Sequence, residues 1–172
     1  SGTIPQGNIA NASLGAVTAL PAAITTGKVL QVLTDEVAGE VSTTSNSYTD
    51  ITGLSVTITP SSTSSKIYVI ANLCSCRVGQ NSAQSCNGFY NLVRGSTELT
   101  ASRLNYYENS GNNTREVDGT ITLTNLDEPN TTSATTYKCQ FKRLDNTTTK
   151  INQSTDNTPV SSITVMEIAG WL

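Results

Sequence analysis

Apolar and polar residues alternate with a period of two along much of the chain, which is the pattern of β-strands that bury one face. In Leu54–Thr59, the side chains of Leu54, Val56 and Ile58 point one way and the intervening Ser and Thr side chains point the other. Pro60 follows and ends the strand, because proline has no N–H to donate to a ladder. The pattern predicts a sheet with one face in the core and one in water.

The other predicted strands follow at short intervals, with turn-forming Gly, Pro, Asn, Asp and Ser between them. Lys66–Leu73 is apolar on both faces, so we expect it in the centre of a sheet. The remaining candidates are Val29–Leu33, Tyr48–Ile51, Phe89–Val93, Glu98–Leu104, Thr120–Thr124, Tyr137–Lys142, Lys150–Gln153 and Ser162–Ile168. About nine or ten strands without an amphipathic helix predict an all-β, antiparallel β-sandwich, and we favour the jelly-roll form at this strand count.

Residues 1–27 differ from the rest of the chain, because Pro and Gly stand among small residues without strand or helix periodicity. We expect an extended N-terminal lead-in over residues 1–27 and the β-sandwich over residues 28–172. The scattered apolar residues of the lead-in are unfavourable alone in water, which predicts packing against the domain or against neighbouring chains. They are Ile4, Ile9, Leu14, Val17, Leu20 and Ile24.

The chain contains no histidine among its 172 residues. This removes the commonest general acid–base group, the Ser–His and Cys–His nucleophile pairs and the usual zinc ligand. The 13 Asp and Glu residues are scattered, and nearly all of them stand beside turns. We therefore expect a protein that is not an enzyme and that has no catalytic residues, metal site or cofactor.

Charge and hydropathy exclude two further classes of partner, nucleic acids and membranes. The formal net charge is -3, so no basic surface is indicated that would attract a phosphate backbone, and we expect no nucleic acid partner. No apolar run approaches the ~20 residues of a membrane span, so we expect no membrane insertion. What remains is a domain that binds proteins or glycans, or that serves as a structural part.

Several stretches of the sequence, taken in order, resemble a module of the tail fibres of tailed bacteriophages and related virion proteins. The most specific is Gly53-Leu-Ser-Val-Thr-Ile-Thr-Pro-Ser-Ser62. The other stretches are weaker singly but form an ordered set over residues 27–168: Gly27–Val32, Thr52–Ile67, Leu92–Thr97, Leu126–Pro129 with Thr135–Lys138, and Ile163–Ile168. The resemblance implies the C-terminal, receptor-binding head domain of a fibre.

Such a head implies a homotrimer on the virion, at the tip of a fibre shaft, that works outside the cell. It would attach to a polysaccharide or an outer-membrane protein of the bacterial host, and residues 1–27 are similar to the end of a shaft. The resemblance supplies no motif of receptor-contact residues. Two other functions remain open: a structural virion component, such as a capsid decoration or fibre cap, and a monomeric, lectin-like carbohydrate-binding module.

The four cysteines, Cys74, Cys76, Cys86 and Cys139, permit three pairings if all of them are bonded. On a regular strand, Cys74 and Cys76 point to the same face and cannot easily bond each other. This favours a bridge from one of them to Cys86 and from the other to Cys139. Of the two pairings we expect Cys76–Cys86, which closes the loop from Arg77 to Ser85, and Cys74–Cys139 across strands. The alternative is that the thiols are free and buried, because a phage protein assembles in a reducing cytosol.

The polar segment Asn105–Arg115 is the best candidate for a receptor contact. Paired tyrosines offer flat faces that stack on sugar rings, and their hydroxyls and the Asn amides supply hydrogen bonds. The alternative is that the tyrosines lie in or beside a strand and that one of them belongs to the core. Gly79–Gly88 and Asp145–Pro159 are equally polar candidates. The predicted contact residues are Tyr106, Tyr107, Asn109, Asn112, Asn113 and Arg115.

Overall fold

The computed structural model describes residues 28–80, 85–107, 115–144, 148–153 and 158–170, without the side chains of Gln80, Ser85, Cys86, Tyr106, Tyr107 and Arg115. This part of the chain forms ten β-strands and no helix, so the all-β prediction is confirmed. The strands are β1 (Val29–Ala38), β2 (Val41–Thr43), β3 (Thr49–Ile58), β4 (Lys66–Gln80), β5 (Ser85–Arg94), β6 (Thr97–Tyr107), β7 (Arg115–Asp127), β8 (Thr135–Leu144), β9 (Thr148–Ile151) and β10 (Val160–Ile168).

The strands pair into two antiparallel sheets. In sheet A, β4 lies between β10 and β7, β1 borders β10, and the short strands β9 and β2 continue beside the last residues of β4. Sheet B has the order β3-β8-β5-β6. The predicted central position of Lys66–Leu73 is confirmed, because these residues pair with β10 on one side and with β7 on the other.

The hydrophobic core is built by alternate residues of both sheets, which makes the arrangement a sandwich as predicted. In sheet A, β4 and β10 turn every second residue inward, and in sheet B, β5 and β8 do the same. The central members of this core are Ile67, Val69, Ala71, Leu73, Ile163 and Val165 from sheet A and Tyr90, Leu92, Tyr137, Cys139 and Phe141 from sheet B. These residues are 0–2 % exposed.

Strand β3 unites two segments that the sequence predicts as separate strands, Tyr48–Ile51 and Leu54–Thr59. The register with β8 shifts between Asp50 and Ser55, and Gly53 lies inside the shift with φ of 88°. Because glycine has no Cβ, it adopts this left-handed conformation at low cost. The resulting bulge leaves both Ile51 and Leu54 buried in the core.

A second bulge, in β4, overturns the prediction that Cys74 and Cys76 share a face. The register with β7 shifts between Leu73 and Cys76, and Ser75 has φ of 43°. The extra residue moves Cys76 into the core beside Leu73, whereas Cys74 is partly exposed. Parity along a strand predicts a common face only where the strand is regular, and nothing in the sequence marks Ser75 as a bulge.

The predicted disulfides are wrong, because Cys74, Cys76 and Cys139 are free thiols. This excludes the Cys74–Cys139 bridge and the Cys76–Cys86 bridge alike, although the side chain of Cys86 lies outside the described residues. Burial raises the pKa of the Cys76 thiol to about 12, and burial does the same to the Cys139 thiol. For Cys76 and Cys139 this is the alternative of free, buried thiols that the sequence left open, whereas Cys74 is free and partly exposed.

The strand register distinguishes the two ends of the sandwich. At one end, here called the loop end, Ser85 pairs with Tyr107, Gln80 pairs with Arg115, and Gly79 pairs with Thr148. At the opposite end, here called the base, the first residue of β1 pairs with Ile168, and the tight turn Gly95–Ser96 connects β5 to β6. None of the described residues belongs to a helix that is long and apolar enough to cross a membrane.

Candidate binding surface

Three of the six predicted receptor-contact residues lie at the loop end. Tyr106 and Tyr107 are the last residues of β6, and Arg115 is the first residue of β7. The backbone placement agrees with the alternative that the two tyrosines belong to a strand, but it does not decide between core and contact roles. The side chains of these three residues, and the whole of Asn109, Asn112 and Asn113, lie outside the described residues, so their receptor contact stays a prediction.

The two other polar candidates contain more strand than the sequence indicates. Gly79 lies within β4 and Gly88 lies within β5, so only residues 81–84 of that candidate stand between strands. The segment Asp145–Pro159 contains β9, which pairs with β2 and with β4. The connections between β4 and β5 and between β8 and β9 begin and end at the loop end, as the segment between β6 and β7 does.

The outer face of sheet B carries a row of alternating aromatic and cationic side chains close to the loop end. Phe89 of β5 pairs with Lys142 of β8 on one side and with Arg103 of β6 on the other. Tyr48 directly precedes Thr49, which pairs with Phe141, so Tyr48 lies beside Lys142. We call these four residues the cation–aromatic row. Phe89 stands between the buried Gly88 and Tyr90, so its side chain and those of its pairing partners Lys142 and Arg103 face outward.

The ammonium group of Lys142 lies between two aromatic rings. Its Nζ atom is 4.3 Å from the ring centroid of Tyr48 and 5.3 Å from the ring centroid of Phe89. Such cation–π contacts contribute about 0.5–1 kcal/mol each at exposed sites, and they fix the position of the ammonium group. The rings carry no charge, so the positive charge of Lys142 is not neutralised by them.

No ion pair involves Lys142 or Arg103 within the described part of the chain. The carboxylates on the same face have other partners. Asp50 accepts hydrogen bonds from Lys138 at 2.7 Å and from Gln140 at 2.6 Å, and these two bonds lower the pKa of the Asp50 carboxyl. The row therefore keeps two positive charges.

Glu98 is the other acid on this face of sheet B among the residues that the structure describes. It accepts a 2.8 Å hydrogen bond from Nδ2 of Asn91, which lies next to Phe89 on the outer face of β5. Burial raises the pKa of the Tyr48 phenol, and the negative charge of Glu98 raises it further. The hydroxyl of Tyr48 thus stays protonated and able to donate a hydrogen bond.

A shallow depression of about 270 Å³ lies at the Arg103 end of the row. It is lined by Phe89, Ala101, Ser102 and Arg103. Among these residues, Ala101 has the smallest side chain and lies on the same face of β6 as Arg103. The combination of an aromatic face and a guanidinium group is suited to hold a small polar ligand by stacking and hydrogen bonding.

The outer face of sheet A has a different character. Near the loop end its charges are paired: Arg77 contacts Asp118 at 2.6 Å and Glu116 at 3.1 Å, and Lys150 contacts Glu40 at 3.1 Å. Among the side chains that the structure describes there, these pairs leave no unopposed positive charge of the kind that Lys142 and Arg103 provide. The outer face of sheet B is therefore the better surface for binding a negatively charged ligand.

Near the base, the outer face of sheet A is apolar. Val32 pairs with Met166, Met166 with Tyr68, and Tyr68 with Leu126, so the four side chains form a line across β1, β10, β4 and β7. Val32 is 54 % exposed and Leu126 is 52 % exposed. We call these four residues the apolar row. A contiguous line of exposed apolar side chains is typical of a surface that contacts another chain or segment.

Among the described residues, no group of three or more Cys, Asp or Glu side chains is placed to hold a metal ion. No protein-family model matches the chain, and no curated protein sequence matches it. The fold therefore defines the class, an antiparallel β-sandwich domain, and the function is inferred from the surfaces of that domain.

Proposed function

We propose that the chain is the receptor-binding head domain of a bacteriophage tail fibre, which attaches the virion to the surface of its bacterial host. The observation that carries the proposal is the difference between the two ends of the sandwich, here called its polarity: the chain enters at one end, and three connections between strands lie at the other. Lys28, to which residues 1–27 are joined, lies at the base, where its carbonyl accepts a 2.9 Å hydrogen bond from Ala169. The connections between β4 and β5, β6 and β7, and β8 and β9 all begin and end at the opposite end.

This polarity suits a head at the tip of a shaft. A chain that enters at the base presents the loop end away from its point of attachment, where a receptor is reached first. Connections that follow rigid strands are the segments in which proteins most often place binding residues, because the scaffold fixes their ends. Support also comes from the ordered sequence resemblance over residues 27–168.

We further propose that the sandwich is a jelly roll. The order β1-β10-β4-β7 in one sheet faces β3-β8-β5-β6 in the other, which gives the two four-stranded layers of that form. Among the eight longer strands, each connection passes to the opposite sheet except the tight β5–β6 hairpin. This alternation is what two interlocked Greek keys require.

The functional unit that we propose is a homotrimer at the fibre tip, which works outside the cell and carries out no chemical reaction. The apolar row supports association, because its exposed side chains gain from being covered by another chain. Three heads on one shaft bind a repetitive cell surface with an avidity that exceeds the affinity of each site. The partner on the host is a surface glycan or an outer-membrane protein.

The experiment that tests this proposal combines the mass of the particle with cell binding. Light scattering on the intact chain is expected to give three times 18.1 kDa, and the labelled protein is expected to bind a subset of a bacterial panel. Replacement of residues 108–114 by a Gly–Ser linker is expected to weaken cell binding, whereas the same replacement of Thr131–Ser133 at the base leaves it unchanged.

Two outcomes would favour the other functions. A stable trimer that binds no bacterium of a broad panel points to a structural virion component. A monomer that binds soluble glycans points to a lectin-like module. Either result contradicts the fibre-head proposal, the first by the missing attachment and the second by the missing oligomer.

A further inference from the structure

We propose that the cation–aromatic row, Tyr48, Lys142, Phe89 and Arg103, is a binding site for acidic sugar polymers that carry carboxylate groups. In this site, sugar rings stack on Phe89 and Tyr48, and their carboxylates pair with Lys142 and Arg103. The inference rests on the proposed function, since it names the class of host ligand that the head recognises, and it places this ligand on sheet B.

The first argument is the alternation of the four side chains. They come from Tyr48 and from three neighbouring strands, β8, β5 and β6, in the order aromatic, cation, aromatic, cation. Because neighbouring strands are about 4.8 Å apart, the row is about 14 Å long. A polymer laid across the strands therefore meets an aromatic face and a positive charge in regular succession, which matches a chain of acidic sugar rings.

The second argument is the state of the two cations. Lys142 is positioned by two uncharged rings, at 4.3 Å and 5.3 Å, and Arg103 is exposed without an ion pair among the described residues. Both groups are thus available to pair with a ligand carboxylate. The guanidinium of Arg103 offers two parallel N–H donors for this purpose. A neutral sugar would gain only the stacking part of this interaction.

The third argument is the position of the acids on the same face. Asp50 is held by Lys138 and Gln140, and Glu98 accepts a hydrogen bond from Asn91, so neither carboxylate is paired with a cation of the row. Lys138 provides an internal comparison, because it lies on the same outer face of β8 as Lys142 but its charge is already paired. If any positive charge on sheet B could bind the ligand, both lysines would contribute equally to its affinity. Of these two lysines, the site that we propose needs only Lys142.

The test uses the intact chain and oligomers of galacturonate, glucuronate and N-acetylneuraminate, with a galactose oligomer as the neutral comparison. Calorimetric titration is expected to show at least one of the acidic oligomers binding at least about tenfold more tightly than the neutral one. Raising the salt concentration is expected to reduce this preference, because exposed charges are screened. Equal affinity for acidic and neutral oligomers, or no binding of any of them, would overturn the proposal.

Variants locate the binding on the row. The Lys142→Gln/Arg103→Gln double variant is expected to lose at least about tenfold in affinity for the acidic oligomer, and Phe89→Leu is expected to lose affinity for both acidic and neutral oligomers. Lys138→Gln is the matched control and is expected to bind as the parent does. Circular dichroism and thermal unfolding establish that each variant is folded. An equal loss in Lys138→Gln, or no loss in the double variant, contradicts the assignment.

The failure of this inference is distinguishable from a failure of the fibre-head proposal. If the parent chain binds bacteria and the double variant binds them equally well, the attachment function stands and the row is not the receptor site. If the parent binds no bacterium but the acidic oligomers bind through the row, the sugar site stands and the attachment function fails.

Discussion

The hydroxyl of Tyr137 donates a 2.6 Å hydrogen bond to Oδ2 of Asp127, and both residues are buried near the base of the sandwich. Arg94 completes the group, with its Nη1 atom 2.9 Å and 2.8 Å from the two carboxylate oxygens. Burial raises the pKa of the Tyr137 phenol, and the hydrogen bond to Asp127 raises it further, so the hydroxyl remains a donor. The cluster connects β7 of sheet A to β5 and β8 of sheet B.

The first prediction is that Asp127→Ala destabilises the domain by about 2–4 kcal/mol, because it leaves a buried hydroxyl and a partly buried guanidinium without their acceptor. Urea unfolding followed by circular dichroism measures the change. The control is Glu128→Ala, which removes an exposed ion pair with Lys66 and is expected to cost less than about 1 kcal/mol. Equal losses in the two variants would show that the cluster contributes no more than a surface pair.

The second prediction concerns acid stability and Glu167, which is fully buried. The N–H and hydroxyl of Ser61 donate to its Oε1 at 2.7 and 2.6 Å, and Gln31 donates to its Oε2 at 2.6 Å. Burial alone would raise the pKa of this carboxyl, but the hydrogen bonds outweigh it and lower the pKa from 4.5 to about 2. Since the folded pKa lies below the unfolded one, the ionised carboxylate stabilises the fold above about pH 4.5.

The ionised Glu167 carboxylate contributes about 3 kcal/mol to the free energy of unfolding, and this contribution is lost as the pH falls from about 4.5 to about 2. Glu167→Gln is therefore expected to be less stable than the parent at pH 7 and to lose less further stability across this acidic window. The free energy of unfolding, measured in urea at several pH values, checks both statements. Parallel pH profiles for parent and variant would show that another group governs the acid transition.

The strands were predictable from the sequence because burial on one face leaves a period of two in the chain itself. Leu54, Val56 and Ile58 are buried as the alternation predicts. The bulge at Ser75 was not predictable, since a non-glycine residue with φ of 43° leaves no mark in the sequence. One undetected extra residue was enough to reverse the predicted relationship between Cys74 and Cys76.

The cation–aromatic row shows why the candidate site was harder to predict than the strands. Tyr106 and Tyr107 are adjacent in the sequence, so the sequence alone pairs them. Phe89, Lys142 and Arg103 are neighbours only through the pairing of β5 with β8 and with β6, and alternation within one strand carries no information about its partner. Their outward orientation was available from the sequence, but their proximity required the strand order.

The third prediction is that Gly88→Ala destabilises the loop end by overpacking. A Cβ atom at Gly88 would lie 2.6 Å from Cγ2 of Val78 and 3.0 Å from Cγ2 of Thr149, so the two sheets would have to move apart. The expected cost is about 1–3 kcal/mol, measured by urea unfolding. In the Gly88→Ala/Val78→Ala double variant, the loss in free energy of unfolding is expected to be smaller than the sum of the losses in the two single variants, because the shorter side chain at position 78 removes the clash. Simple additivity would mean that Val78 is not the obstacle.

The fourth prediction concerns the reactivity of the thiols. Cys76 and Cys139 are both buried, and burial raises the pKa of each thiol to about 12. Because the thiolate is the reactive form, neither side chain is expected to react with a disulfide reagent at pH 8 while the domain is folded. The measurement uses the Cys74→Ser/Cys86→Ser variant, in which Cys76 and Cys139 are the only cysteines that remain. The expected result is no labelling in buffer and two labelled thiols in urea, whereas rapid labelling of either cysteine in buffer would mean that the core opens at β4 or at β8.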